Sequence, residues 1–210
     1  MTSRPTHEQI EQLVQNLILP AHHVLRDIRL PTGRPQREND AEHSWSLAVL
    51  AASLAPQLDP ALDVGHVTQL AVAHDMVEVT AGDTSVFAGA NHLATKDARE
   101  HVALTKLKQD HAHFPWLAHM ITEYKARITN EAKFVYALDK YLPVLYDWLD
   151  RGVYLREHGV SQADYSLMRT THRVKAHAHP AVGQYYDHVL ALLDQHPEYF
   201  YRPPAASSAI

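Results

Sequence analysis

The segment Ala71-Val-Ala-His-Asp-Met-Val-Glu78 decides how this chain is read. A run of small apolar residues carries one imidazole and two carboxylates at its end. Glu78 follows His74 by four positions and Asp75 by three, so on a helix the three side chains share one side. Ionisable groups on the buried-looking end of an apolar helix cost free energy unless they are paired or hold a metal. A neighbouring His and Asp can both ligate one ion. The dipeptide alone carries little weight: about one His-Asp pair arises by chance in a chain this rich in both.

Outward from this segment the chain reads as helices. Asp63 caps a helix from Val64 to about Val77, and Asp40 caps one from Ala41 to about Ala55 that Pro56 stops. Ile10, Leu13, Val14, Leu17 and Ile18 share a face between Thr6 and Ile18, and Thr6-His-Glu-Gln9 has the capping-box pattern. Further helices are predicted at 96–110, 115–126, 131–150, 161–176 and 181–195, two of them opening on Pro115 and Pro180. Pro143 is expected to kink its helix. Residues 27–40 and 80–94 read as loops, and no segment alternates as a strand. The fold class is all-α. Residues 1–200 read as one domain, with a motif-bearing core at about 20–150, C-terminal helices at 151–200 and a flexible tail at 201–210.

Composition narrows the function. The 210 residues suffice for one sizeable core, and 46% apolar with 20% charged residues is ordinary for a globular chain. No window reaches the roughly 18 apolar residues of a membrane helix, and the N-terminus has no apolar signal region. The absence of cysteine removes disulfides, thiolate ligands and a Cys nucleophile, and fits a cytoplasmic protein. A net charge of -5 argues against a nucleic-acid polymer as partner. An anionic small molecule would need a local positive site, which a metal ion can supply. The 17 histidines decide nothing by number alone.

Three distant segments complete the pattern. Ala41-Glu-His-Ser-Trp45 opens one helix, Gly82-Asp83 follows the His-Asp helix, and Glu131-Ala-Lys-Phe-Val-Tyr-Ala-Leu-Asp-Lys140 places Asp139 in a later one. The ordered set Glu-His-Ser at 42–44, His-Asp-x-x-Glu at 74–78, Gly-Asp at 82–83 and Glu-Ala-Lys…Leu-Asp-Lys at 131–140 resembles the HD-domain phosphohydrolases. It is most similar to the branch containing bacterial 5′-deoxynucleotidases, over roughly residues 20–150. The resemblance implies a single-domain HD-type helical bundle holding one divalent ion through His43, His74, Asp75 and Asp139. It implies that Glu78 positions or activates water, that Asp83 contacts a sugar, and that the chain forms a homodimer.

The branch carries an Arg-Trp pair ahead of the first metal His. Here the stretch Arg26-Asp-Ile-Arg-Leu-Pro-Thr-Gly-Arg-Pro-Gln-Arg-Glu38 has no Trp, so strict preference for deoxyribose is not implied. Arg26, Arg29 and Arg37 remain candidates for a phosphate, as do Lys96, Arg99, Lys133 and Lys140. Two imidazoles and two carboxylates suit Mn, Fe, Co, Ni or Zn. The expected reaction is hydrolysis of a phosphomonoester, the 5′-phosphate of a (deoxy)nucleoside monophosphate, with Glu78 as acid or base. Rival readings are a nucleoside triphosphate phosphohydrolase, a non-catalytic nucleotide-binding regulator, and a di-iron oxygenase. The last would draw two more ligands from His92, His101, His111, His113 and His119.

Overall fold

A computed structural model describes residues 4–33, 36–84 and 90–203, without the side chains of residues 90 and 92. The helix α1 (His7–Leu13) opens on the Thr6 capping box and runs through a π-helical stretch, Val14–Ile18, into α2 (Leu19–Ala21). A short antiparallel hairpin follows, β1 (Leu25–Arg29) against β2 (Arg37–Asn39), with Leu25 opposite Asn39 and Arg29 opposite Arg37. This corrects the loop expected at 27–40. The strands escape an apolar-alternation test because two of the residues turned inward, Arg26 and Glu38, are charged; only Ile28 is an apolar anchor.

Three helices then position the site. The helix α3 (Asp40–Leu58) is capped one residue earlier than expected, by Asn39, and passes through Pro56 in its last turn instead of stopping there. Asn39 accepts from the Glu42 N–H at 3.0 Å while Glu42 accepts from the Asn39 N–H at 3.0 Å, so the strand hands directly over to the helix. Its buried stripe is Asp40, His43, Leu47, Ala51 and Ala55, at helical spacing. The helix α4 (Val64–Ala73), capped by Asp63, ends four residues short of expectation. Its buried stripe, Val67, Leu70 and Ala71, runs on into His74. Beyond Ala73 the chain tightens into three-residue turns, with Met76 N–H on Ala73 O and Glu78 N–H on Asp75 O, before α5 (Glu78–Ala81).

The remaining helices are α6 (Ala90–Ala94), α7 (Lys96–Asp110), α8 (Pro115–Ala126), α9 (Asn130–Leu149), α10 (Val153–Glu157), α11 (Gln162–Ala176) and α12 (Pro180–Asp194). The helix α9 continues through Pro143, and its buried positions Ala132, Val135, Asp139 and Leu142 form another stripe. The main core packs α3, α4, α8 and α9 through small residues such as Ala48, Ala51, Ala71 and Ala132, which let the helices approach closely. A second apolar cluster, with Val144, Leu155, Tyr165, Tyr186 and Leu193, joins the far half of α9 to α10, α11 and α12. Buried Asp147 anchors that side by accepting from Arg169 and Tyr165, each at 2.7 Å. Trp45 lies 69% exposed on α3, outside the core. Among the described residues no helix is long and apolar enough to cross a membrane. The expected tail begins on a backbone bond, from Tyr201 N–H to Val160 O at 2.9 Å; residues 204–210 lie outside the described range.

Because one side chain joins β2 to α3, Asn39→Ala should lower stability by about 1 kcal/mol, which moves the melting temperature by roughly 2–4 °C in a chain this long. A thermal melt followed by circular dichroism checks this; an unchanged midpoint would show that the cap contributes nothing.

Candidate metal centre

The stripes of α3, α4 and α9 meet at one point. His43 and His74 are buried, Asp139 is buried, and Asp75 is open on one side. Their four nearest ligand atoms all lie within 4.8 Å of one another. His43 Nε2 is 3.2 Å from Asp139 Oδ1 and 4.0 Å from Asp75 Oδ2; His74 Nε2 is 3.0 Å from Asp75 Oδ2 and 3.8 Å from Asp139 Oδ1.

The far atoms of these side chains are held from behind. His43 Nδ1 faces Glu38 Oε2 at 3.1 Å, and His74 Nδ1 faces Ala71 O at 2.8 Å. Each partner is an acceptor, so each Nδ1 donates and each Nε2 is left to point inward, the tautomer a metal ligand needs. Asp139 Oδ2 accepts from Tyr124 at 2.7 Å and Lys140 at 2.6 Å, which turns Oδ1 toward the two imidazoles. Asp75 Oδ2 accepts from Arg26 at 2.6 Å. His74 Nε2, fully enclosed, makes no well-formed hydrogen bond. Buried polar atoms are almost always satisfied. This orphaned nitrogen, set among two carboxylates and a second imidazole, fits a divalent cation.

The electrostatics agree. Burial disfavours the His74 cation, yet Asp75 and Asp139 override it and push its pKa up to about 10. A proton on Nε2 thus stands where an ion would sit. Against the cost of burial, His74 and Arg26 hold Asp75 well below the usual carboxylate range, and Lys140 with both imidazoles does the same for Asp139. Glu78 behaves oppositely. It is 3% exposed, and burial together with Asp75 pushes its pKa well up, despite Arg26 at 3.8 Å and Lys96 at 3.3 Å. Asp40 is likewise pushed up to about 7 by burial and Asp75. One pair of carboxylates is tuned to be ionised and the other to keep a proton.

A cavity of about 350 Å³ opens on this centre. Among the sequence-derived candidates, Arg26, His74, Asp75, Glu78, Asp83, Lys96, Asp139 and Lys140 line it. Asp83 reaches the wall because Gly82 adopts φ 74°, a conformation that glycine takes freely, and its N–H closes α5 on Glu78 O. Arg29, Arg37 and Lys133 do not line it. Arg29 pairs with Asp150 at 3.5 Å and Glu157 at 3.3 Å, and Arg37 reaches Arg26 O at 2.9 Å and Asp27 at 3.4 Å. These ion pairs engage Arg29 and Arg37 outside the cavity. Arg99 donates to Ala81 O and Thr84 Oγ1, each at 2.7 Å, and braces the loop. Sequence reasoning overlooked Glu38, Asp40 and Tyr124. Glu38, five residues before His43 on a strand disguised by charge, had no signal beyond proximity.

A helical bundle that buries two imidazoles and two carboxylates around an open cavity belongs to the class of helical metal-centre proteins. The family model described as HD domain matches residues 21–182, and the chain belongs to that family. The chain is also similar to the crystal structure of a predicted metal-dependent phosphohydrolase from Magnetospirillum magnetotacticum MS-1, with 29% identity and a TM-score of 0.75, over 92% of this chain and 94% of that one. No curated protein matches the chain.

Binding a divalent ion should displace the His74 proton. Below the folded-state pKa of about 10, apparent metal affinity should therefore rise with pH, by about tenfold per unit for each proton released. Calorimetric titration of chelator-treated protein with Mn²⁺, Co²⁺ or Zn²⁺, in buffers of different ionisation enthalpy, reads this directly. Binding should also raise the melting temperature, and Asp139→Ala should abolish that rise. An affinity that does not change with pH would refute the site.

Proposed function

We propose that the protein is a metal-dependent phosphohydrolase acting on a phosphomonoester, the 5′-phosphate of a (deoxy)nucleoside monophosphate. The observation that carries this is Glu78: a buried carboxyl biased toward its protonated form, on the wall of the cavity and beside four convergent ligand groups. The description of the Magnetospirillum protein supports the same reaction class.

His43, His74, Asp75 and Asp139 would hold the ion. When bound, a divalent ion supplies positive charge to a phosphoryl group and acidifies water near neutral pH. Glu78 then moves the proton. Its protonated carboxyl gives a proton to the leaving alkoxide as the P–O bond to the alcohol breaks, and the carboxylate so formed takes one from the attacking water as the new P–O bond forms, so the alcohol departs neutral and Glu78 ends as it began. Lys96 lines the cavity 3.3 Å from Glu78 and is placed to meet a phosphoryl oxygen. Arg26 holds Asp75 and Glu78 in mutual register. Asp83, on the same wall, is the candidate contact to a sugar hydroxyl.

Two observations support this reading over a two-iron oxygenase. The second acidic group, Asp40, Asp75 and Glu78, already surrounds the Arg26 guanidinium, whose Nη1 is 2.6 Å from Asp75, 3.5 Å from Asp40 and 3.8 Å from Glu78. Among the described residues, His101, His111, His113 and His119 neither line the cavity nor join a ligand cluster.

The test is phosphate release from ribo- and deoxynucleoside mono-, di- and triphosphates with each divalent metal supplied in turn. Turnover should be found with at least one monophosphate, and Glu78→Gln should lower kcat by about 10²–10⁴-fold while metal content and fold persist. Release from no substrate sinks the reading, and a fully active Glu78→Gln removes Glu78 from the chemistry.

A further inference from the structure

The side of the cavity formed by α8, α9 and α11 holds positive charge that cleavage of one phosphate does not use. Most cations of the cavity are matched. Lys96 pairs with Glu78 and Glu100, Lys125 with Glu100, Lys140 with Asp139, and Arg169 with Asp147. Arg127 and Lys175 also line it, and among the described residues neither pairs with a carboxylate.

Arg127 is held at the cavity by its backbone and by a ring. It ends α8 at φ 52°, and its guanidinium lies 4.7 Å from the centroid of Tyr136, whose ring also has Lys140 Nζ at 5.4 Å. Lys175, half-buried on α11, feels Lys140, Lys96 and Arg127 at once. Burial and that repulsion hold its ammonium below the usual lysine range. His172, one turn earlier, is driven down to about 3 by burial and by Arg169, Lys140 and Lys175, and so stays neutral. In a chain of net charge -5, like charges gathered in a cavity cost free energy that an anion would recover. The volume of about 350 Å³ lies in the range of small-molecule sites.

We infer that the substrate carries a second phosphate group besides the one that is cleaved, and that Lys175 and Arg127, with Lys140 beside them, seat it. The inference rests on the proposed phosphohydrolase activity for the cleaved group only. In this arrangement α11 both closes the cavity and selects a doubly phosphorylated small molecule, which accounts for the presence of the C-terminal helices at the site.

The decisive comparison uses metal-free full-length protein, so that binding is read apart from turnover. Calorimetry should show nucleoside 3′,5′-bisphosphates, tried with each of the common bases, binding at least about tenfold more tightly than the matching 5′-monophosphates, as one added charge-assisted contact requires. In Lys175→Gln and in Arg127→Gln that ratio should shrink, and in the double variant it should fall toward one. On metal-loaded protein the ratio of kcat/KM for bisphosphate over monophosphate should fall in the same order. Equal binding of the two ligands by the wild-type protein overturns the inference, as does a ratio that survives both substitutions. If the binding preference holds but no phosphate is released from any compound, the hydrolase reading fails and the second phosphate site stands.

Discussion

Too many carboxylates share one buried corner, and the rest of the structure answers to that. Glu38, Asp40, Asp75, Glu78 and Asp139 gather at the convergence of the hairpin, α3, α4 and α9, faced by the cationic side chains of Arg26, Lys96 and Lys140. Five acids and three bases cannot all be charged in a low-dielectric site without further positive charge. The deficit shows in two places. Asp40 and Glu78 are pushed toward their neutral forms, and His74 is pushed toward its cation despite complete burial. A divalent ion held by His43, His74, Asp75 and Asp139 would relieve both at once, since it would replace the His74 proton and add the missing positive charge.

This demand explains elements that look incidental. The hairpin is too short to be stable by itself, yet it carries Arg26 and Glu38 to the site on its inward face, and the Asn39 cap fixes its end to α3. The break after Ala73 serves the same end. His74 still closes the last turn of α4 on Leu70 O, and the three-residue turns that follow place Glu78 N–H on Asp75 O and start α5 at Glu78. At this helix end Asp75 Oδ2 lies 3.0 Å from His74 Nε2. Far from the centre, the buried Asp147–Arg169 pair ties α11 to α9 and so fixes the wall that bears His172 and Lys175.

The helices were legible in the sequence wherever an apolar stripe faced the core, because burial of such a stripe is what makes the helix stable. The metal-centre residues were legible through the ordered motifs and the resemblance they carry to the HD-domain phosphohydrolases; in the fold His43, His74 and Asp139 sit at stripe positions otherwise filled by apolar residues. What stayed hidden was structure built from charge. Arg26 and Glu38 face inward on strands without the apolar alternation that announces a strand; Glu38 looked like a loop acid and Asp40 like a helix cap. Arg29 and Arg37 were plausible only while their partners were unknown: Arg29 is held by Asp150 and Glu157, and Arg37 by Asp27. Lys133 is six residues from Asp139 on α9, roughly 120° around the helix, which turns it away from the cavity.

Arg26 shows why one side chain governs both the centre and its chemistry. Its guanidinium bonds the Asp75 oxygen that also faces His74, and it lies within 3.8 Å of Glu78. Arginine does not lose its charge near neutral pH, so this cation is present however many protons the neighbouring acids carry. It therefore steadies Asp75 as an anion and limits how far burial can raise Glu78. A second ion at Asp40, Asp75 and Glu78 would have to displace it from a 2.6 Å contact with Asp75. A permanent cation there keeps Glu78 free to exchange its proton, whereas a metal ion at the same point would bind that carboxylate and hold it ionised. The acid–base role proposed for Glu78 thus depends on an arginine, and not a second ion, filling the acidic pocket beside the metal centre.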